Sequence, residues 1–153
     1  MCLGIGILRF SYTALLPSTR EAFDWSSSFA SLLGSANLLG YLMGAFVAMR
    51  LPQNKSMTLY IQIAAIAGMF SLMCCAFANF PQAWYIFWRV VSGISGGLLM
   101  ILSPSVVAQC CDIQDRFKIN FIGFSGIGLG ILVATLFLPY LDQISIQTAW
   151  LIL

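Results

Sequence analysis

Long runs of apolar residues are separated by short polar breaks along this chain. A helix of about 20 apolar residues crosses the roughly 30 Å hydrocarbon core of a bilayer. The runs are continuous rather than alternating in polarity, and lipid offers no water to backbone groups, so the pattern favours helices over strands. It predicts five full transmembrane spans and the start of a sixth, at about residues 1–18, 29–49, 57–78, 84–110, 119–141 and 148–153.

Composition excludes several other classes of protein. Hydrophobic residues make up 60% of the 153 positions and charged residues 8%, whereas a soluble domain has about 25% charged residues. The net charge of +2 is too small for a nucleic-acid interface. There is no His and no nucleophile–base pair by spacing, so an enzyme, a metal site and a cofactor are not predicted. The predicted fold class is all-α, a polytopic bundle of transmembrane helices.

Basic residues in the breaks set the predicted orientation, because cytoplasmic loops are enriched in Lys and Arg. Only Arg20 lies in the breaks after the first and third runs. The breaks after the second and fourth runs together hold four basic residues: Arg50, Lys55, Arg116 and Lys118. This bias predicts a multi-pass protein of the inner (plasma) membrane with a cytoplasmic N-terminus. Trp84, Tyr85 and Trp88 are then predicted to anchor the outer interface as an aromatic belt, with a ligand-binding role as the alternative.

Two arginines, Arg9 and Arg89, lie inside apolar runs. An arginine at the centre of a transmembrane helix costs about 2.5–3.5 kcal/mol on insertion scales, so it normally faces a bundle interior or a wet cavity. At helical rise they lie about 12 Å and about 7.5 Å from the outer ends of their spans. They occupy the first helix of each three-helix set, which is the arrangement of an inverted repeat with its site between the repeats. Snorkelling to the interface is the alternative.

Chemistry near these arginines indicates a class of solute. No Asp or Glu lies within any run, so a proton relay through a carboxylate is not predicted in this chain. Guanidinium groups bind carboxylate or phosphate through two parallel hydrogen bonds, which suits an anionic ligand. Tyr12 shares a helix face with Arg9 at i+3, and it either lines the cavity or only packs. The candidate substrate-binding residues are Arg9, Tyr12, Asn37 and Arg89.

Small residues recur at spacings that let helix backbones approach closely. Their predicted role is packing rather than chemistry. Pro104 removes a backbone hydrogen bond from the fourth span and predicts a kink there. The predicted packing and hinge positions are Gly40, Gly44, Gly93, Gly97, Pro104, Gly126 and Gly130.

Four segments resemble a known family. Residues 4–17 are similar to the first helix of the YbfB/YjiJ-type group of the major facilitator superfamily, with the pattern G-x-G-x-x-R-F-x-Y-x-x-L-L-P. Residues 35–44 resemble the second helix of that group, and residues 124–130 resemble its fifth. Residues 89–97 are similar to the fourth-helix motif of the superfamily, R-x-x-x-G-x-x-x-G/A. The resemblance extends from about residue 4 to residue 150.

This resemblance implies a twelve-helix secondary transporter with two six-helix halves. The chain would be most of the N-terminal half, in which helices one and four line the cavity and Arg89 serves coupling or substrate binding. Two motifs differ from the superfamily pattern. In the second loop Ala48 and Leu51 replace an Asp and a Gly, and in the fifth helix Ile127 replaces the Pro after Gly126. The first difference weakens the expectation of a cytoplasmic charge lock, and the second weakens the assignment of the protein as an antiporter.

The predicted function is therefore a secondary active transporter that moves a small solute by alternating access. Its predicted partners are the lipid bilayer, the solute and a missing C-terminal half, and nucleic acid is not among them. The first run begins almost at residue 1 and the sixth has barely begun, so we interpret the sequence as a fragment or a truncated gene product. The alternative is a non-transporting membrane protein that acts through helix–helix assembly, or an inactive remnant.

Overall fold

The computed structural model describes residue 20 and residues 24–52, 57–77 and 80–141. Within these ranges the chain is helical and contains no strand. The long helices are α1 (Ser27–Arg50), α2 (Met57–Cys75), α3 (Gln82–Cys110) and α4 (Ile113–Leu141). The predicted spans at 1–18 and 148–153 lie outside the described residues, so the number of spans stays a prediction.

Three of these helices, α1, α2 and α3, are long and apolar enough to cross a membrane. Their outer faces carry large apolar side chains, for example Leu39, Phe46 and Ile66, which are 62%, 67% and 67% exposed. A soluble protein rarely exposes apolar surface on this scale, whereas a bilayer would cover it. The prediction of an all-helical membrane protein is confirmed for this part of the chain.

Helix boundaries differ from the apolar runs because backbone hydrogen bonds set them. The second helix, α2, ends at Cys75 rather than near residue 78. The fourth helix, α4, begins at Ile113 rather than near residue 119, since the Asp112 carbonyl accepts bonds from the N–H groups of Asp115 and Arg116. The charged segment that the sequence indicated as a break therefore forms the first turns of α4.

Two aromatic side chains of α3 bind backbone carbonyls at the end of α2. The last carbonyls of a helix have no partner within it. Trp84 Nε1 donates to the Cys74 carbonyl (3.1 Å), and the Tyr85 hydroxyl donates to the Phe77 carbonyl (2.7 Å). Tyr85 is 3% exposed and packs edge-on against Trp25, with ring centroids 4.8 Å apart. Tyr85 thus holds the α2–α3 connection from inside, instead of facing the lipid interface as the aromatic-belt prediction expected.

Replacing Tyr85 by Phe is expected to lower the free energy of unfolding by about 1 kcal/mol, because the Phe77 carbonyl loses its donor. Thermal unfolding of the full chain in detergent, followed by circular dichroism, measures the change. Tyr60→Phe on α2 is the matched control and is expected to stay within about 0.5 kcal/mol of wild type. Equal effects of the two substitutions would contradict a stabilising role for the Tyr85 hydroxyl.

The third helix, α3, lies at the centre of the bundle: it packs along α1 and α2 and contacts α4 more lightly. Its contact with α1 is close enough that backbones touch. A Cβ atom added at Gly40 would overlap the Val90 carbonyl, and one added at Gly44 would overlap the Ile94 carbonyl. Only glycine allows this approach on the α1 side.

Two glycines of α3 contact the backbone of α1 in the same way. A Cβ added at Gly93 would overlap the Asn37 carbonyl, and one added at Gly97 would overlap the Tyr41 carbonyl. Each helix therefore contributes two glycines four residues apart, a spacing typical of closely packed transmembrane helices. We call these four positions the glycine seam: Gly40, Gly44, Gly93 and Gly97.

The other packing and hinge positions predicted from the sequence lie away from this seam. Pro104 is inside α3, which continues as a helix to Cys110, and the predicted kink stays a prediction. The serines on either side of Pro104 each donate a hydroxyl bond to the carbonyl four residues earlier. Gly126 is half-buried and Gly130 is buried, both in α4.

Candidate functional site

One face of α3 carries polar side chains that are buried. Tyr85, Arg89 and Ser92 follow one another at spacings of four and three residues, so they lie on the same side of the helix. Arg89 is 2% exposed and Ser92 is 1% exposed, although α3 is apolar enough to cross a membrane. We call these three residues the α3 polar face.

Arg89 lies inside the bundle rather than at its surface. It is two turns after the start of α3 at Gln82, or about 10 Å along the helix axis. Snorkelling toward lipid headgroups requires an exposed side chain, and Arg89 has almost no exposed surface. Arg89 is the only charged residue of α3, and the sequences of α1, α2 and α3 contain no Asp or Glu.

Asn37 of α1 contacts the backbone of α3 at Arg89. Its Nδ2 donates to the Arg89 carbonyl (3.1 Å), and Asn37 itself is buried. A helical carbonyl has two lone pairs, so the Arg89 carbonyl can accept this bond in addition to its bond within α3. Gly93 makes the approach possible, because any larger residue there would overlap the Asn37 carbonyl. Through this bond Asn37 positions the segment of α3 that carries Arg89.

The structure places two of the four predicted substrate-binding residues together. Asn37 and Arg89 are in contact, through the Arg89 carbonyl. Arg9 and Tyr12 lie outside the described residues, so the predicted pairing of two guanidinium groups stays a prediction. The interior position predicted for an intramembrane arginine is thus observed at Arg89 alone.

Ser92 is a candidate that the sequence analysis missed. Its Oγ is buried and has no hydrogen-bond partner among the residues that the structure describes. The signal in the sequence was its spacing, because a serine three residues after an interior arginine lies on the same helix face. A ligand held by Arg89 would therefore meet a hydroxyl donor one turn further along α3.

The chemistry available at this face is binding rather than bond making. In the described ranges, no group of three His, Cys, Asp or Glu side chains comes close enough to hold a metal ion. A guanidinium and a hydroxyl can together bind an oxyanion, but they do not form the nucleophile and base that covalent catalysis requires. The α3 polar face is therefore a candidate ligand-binding surface.

Comparison with known proteins relates the chain to transporters. The family described as "Uncharacterised MFS-type transporter YbfB" matches residues 1–153. A curated relative, a "Glucose transport protein" of Synechocystis sp., is 28% identical over 136 residues. The aligned part covers 86% of this chain and 29% of that protein, so the chain spans less than a third of the relative's length. No solved structure shows a significant match.

Proposed function

We propose, since this chain belongs to the YbfB-type family of the major facilitator superfamily, that it supplies the N-terminal helices of a secondary active transporter. The transporter moves a small solute across the membrane by alternating access. The observation that carries this proposal is the position of Arg89, a buried charge on a helix that can span a bilayer. Charged residues inside transmembrane bundles typically mark solute or ion pathways.

A small anionic solute suits the α3 polar face best. Arg89 would bind a carboxylate or phosphate group through two parallel hydrogen bonds, and Ser92 would donate its hydroxyl to the same group. Asn37 would act as a positioning residue, since its bond goes to the Arg89 backbone. Arg9 and Tyr12, predicted from the sequence to face the same cavity, would complete the site.

A neutral sugar is the second candidate, because the relative from Synechocystis sp. is named a glucose transport protein. Guanidinium and hydroxyl groups can also donate hydrogen bonds to sugar hydroxyls. Glucose and glucuronate are both pyranoses and differ only in the carboxylate that replaces the C6 hydroxymethyl group. A comparison of their uptake therefore shows whether the site recognises the negative charge or the hydroxyl groups of the solute.

The proposed topology follows the distribution of basic residues. We place the ends of α1 and α3 on the cytoplasmic side of the inner membrane, near Arg50 and Arg116, with the N-terminus on the same side. A C-terminal half of the carrier would form the other wall of the solute pathway, as alternating access between two repeats requires. The lipid bilayer and this second half are thus the proposed structural partners.

Uptake into proteoliposomes by the complete protein tests the proposal. We expect saturable, protein-dependent uptake of radiolabelled glucuronate that is faster than uptake of glucose, with protein-free liposomes as the blank. Faster uptake of glucose would overturn the anionic assignment and leave the transporter assignment standing. No uptake of any sugar, sugar acid or amino acid in a broad panel would instead favour a non-transporting protein that acts through helix assembly.

A further inference from the structure

A groove with a volume of about 290 Å³ opens between α1 and α2, with α3 as its floor. Val47 and Leu51 line it on the α1 side, and Ile63 and Ala67 line it on the α2 side. All the lining residues are aliphatic except Tyr60 and Ser95. The two helices that form its walls, α1 and α2, each pack on α3, and the groove lies between them.

The position of the groove in the bundle indicates its surroundings. Its walls and floor belong to the three helices that can cross a membrane, so it opens toward hydrocarbon rather than water. The floor extends from Val91 to Leu98, two turns or about 10 Å along α3. One end lies where α1 finishes at Arg50 and α2 begins at Met57, which is the level at which a chain leaves the membrane.

Positive charge is concentrated at that end of the groove. Arg50 is exposed in the last turn of α1 and directly precedes Leu51, which lines the groove. No Asp or Glu lies at residues 47–51 or 57–60, the described residues nearest to this end of the groove. Basic pockets between transmembrane helices attract anionic lipid headgroups. The groove is therefore apolar along its length and basic at the headgroup level.

We propose that this groove binds one acyl chain of an anionic phospholipid, whose phosphate is held at Arg50. The groove of about 290 Å³ is too small for another helix, because a two-turn segment about 10 Å long and about 10–12 Å wide occupies roughly 800–1,100 Å³. A single hydrocarbon chain is narrow enough, and its methylene groups match the aliphatic walls. The site is separate from the α3 polar face, so it does not depend on the identity of the transported solute.

Lipid retention measured by native mass spectrometry tests the site on the complete protein. Phosphatidylglycerol and phosphatidylcholine with identical acyl chains are the two probes. Wild type is expected to retain one phosphatidylglycerol in preference to phosphatidylcholine. Arg50→Gln is expected to lower that preference about fivefold, the effect of one basic residue near an anionic surface. Arg116→Gln, a basic residue on the same proposed side at the start of α4, is the matched control and keeps the preference.

A second pair of variants tests the acyl chain itself. Ala67→Phe fills the groove and is expected to remove the retained lipid, whereas Ala65→Phe on the same helix, outside the groove, keeps it. Phosphatidylglycerol with a photoreactive acyl chain, applied to wild type, is expected to label residues 47–51 and 60–67. Equal retention of the two lipids by wild type, labelling confined to other segments, or displacement of the lipid by inorganic phosphate alone would each overturn the proposal.

Discussion

Gly93→Ala is expected to lower the melting temperature of the full chain by roughly 6–12 °C, which corresponds to a loss of about 3 kcal/mol. The added methyl group would overlap the Asn37 carbonyl and the Tyr41 backbone nitrogen. Both obstacles are backbone atoms, so no side chain can rotate aside and the helices themselves must separate. Separation would also stretch the bond from Asn37 to the Arg89 carbonyl.

Gly34→Ala on α1 is the matched control for this substitution. A Cβ atom at Gly34 would have no neighbour within 4 Å in the described part of the chain. The only remaining effect is the better helix propensity of alanine, which adds roughly 0.5–1 kcal/mol of stability. The two substitutions are therefore expected to act with opposite signs in a thermal melt monitored by circular dichroism. A Gly93→Ala variant as stable as wild type would show that α1 and α3 are not in backbone contact.

Arg89→Gln is expected to reduce the initial rate of glucuronate uptake about 100-fold or more, because two charge-assisted hydrogen bonds to the solute are lost. Arg89→Lys keeps the charge but not the paired geometry, so an intermediate rate is expected. Uptake of the complete protein in proteoliposomes, at matched protein density, gives these rates. Arg116→Gln at the start of α4 serves as the control and is expected to leave uptake unchanged.

The melting temperature of Arg89 variants distinguishes a binding role of this residue from a structural one. Removing one member of a buried charged pair is destabilising, whereas lysine keeps the positive charge of Arg89 inside the bundle. We therefore expect Arg89→Lys to melt close to the temperature of wild type while its transport is reduced. A variant that loses transport and stability together would indicate that Arg89 mainly holds the fold.

The broad architecture could be predicted from the sequence because the bilayer imposes a simple length rule. Apolar runs long enough to cross it coincide with α1, α2 and α3. Helix ends could not be predicted as well, since they depend on local bonds. The carbonyl of Asp112 starts α4 within a charged segment, and Tyr85 of α3 binds the Phe77 carbonyl beyond the end of α2. Neither bond can be predicted from the hydropathy of the sequence.

At the candidate site too, the sequence pattern predicted which residues are interior but not which residues they contact. An arginine within an apolar run indicated an interior position, and Arg89 is buried. The spacing of the glycines indicated a close helix contact but not its partner, because contacts between residues about 50 positions apart leave no local pattern. Asn37 was predicted to bind solute, which stays a prediction, and its observed bond to the Arg89 backbone joins α1 to α3. Ser92 was overlooked because serine is common in helices that pack closely.

The glycine seam limits how this part of the protein can move. At these four positions the backbone of one helix contacts that of the other, so a shift of α1 along α3 by one residue would press the Cβ atoms of other residues against backbone carbonyls. The two helices are therefore expected to move together as one rigid unit. Opening and closing of a pathway would have to arise at looser boundaries, such as the light contact between α3 and α4.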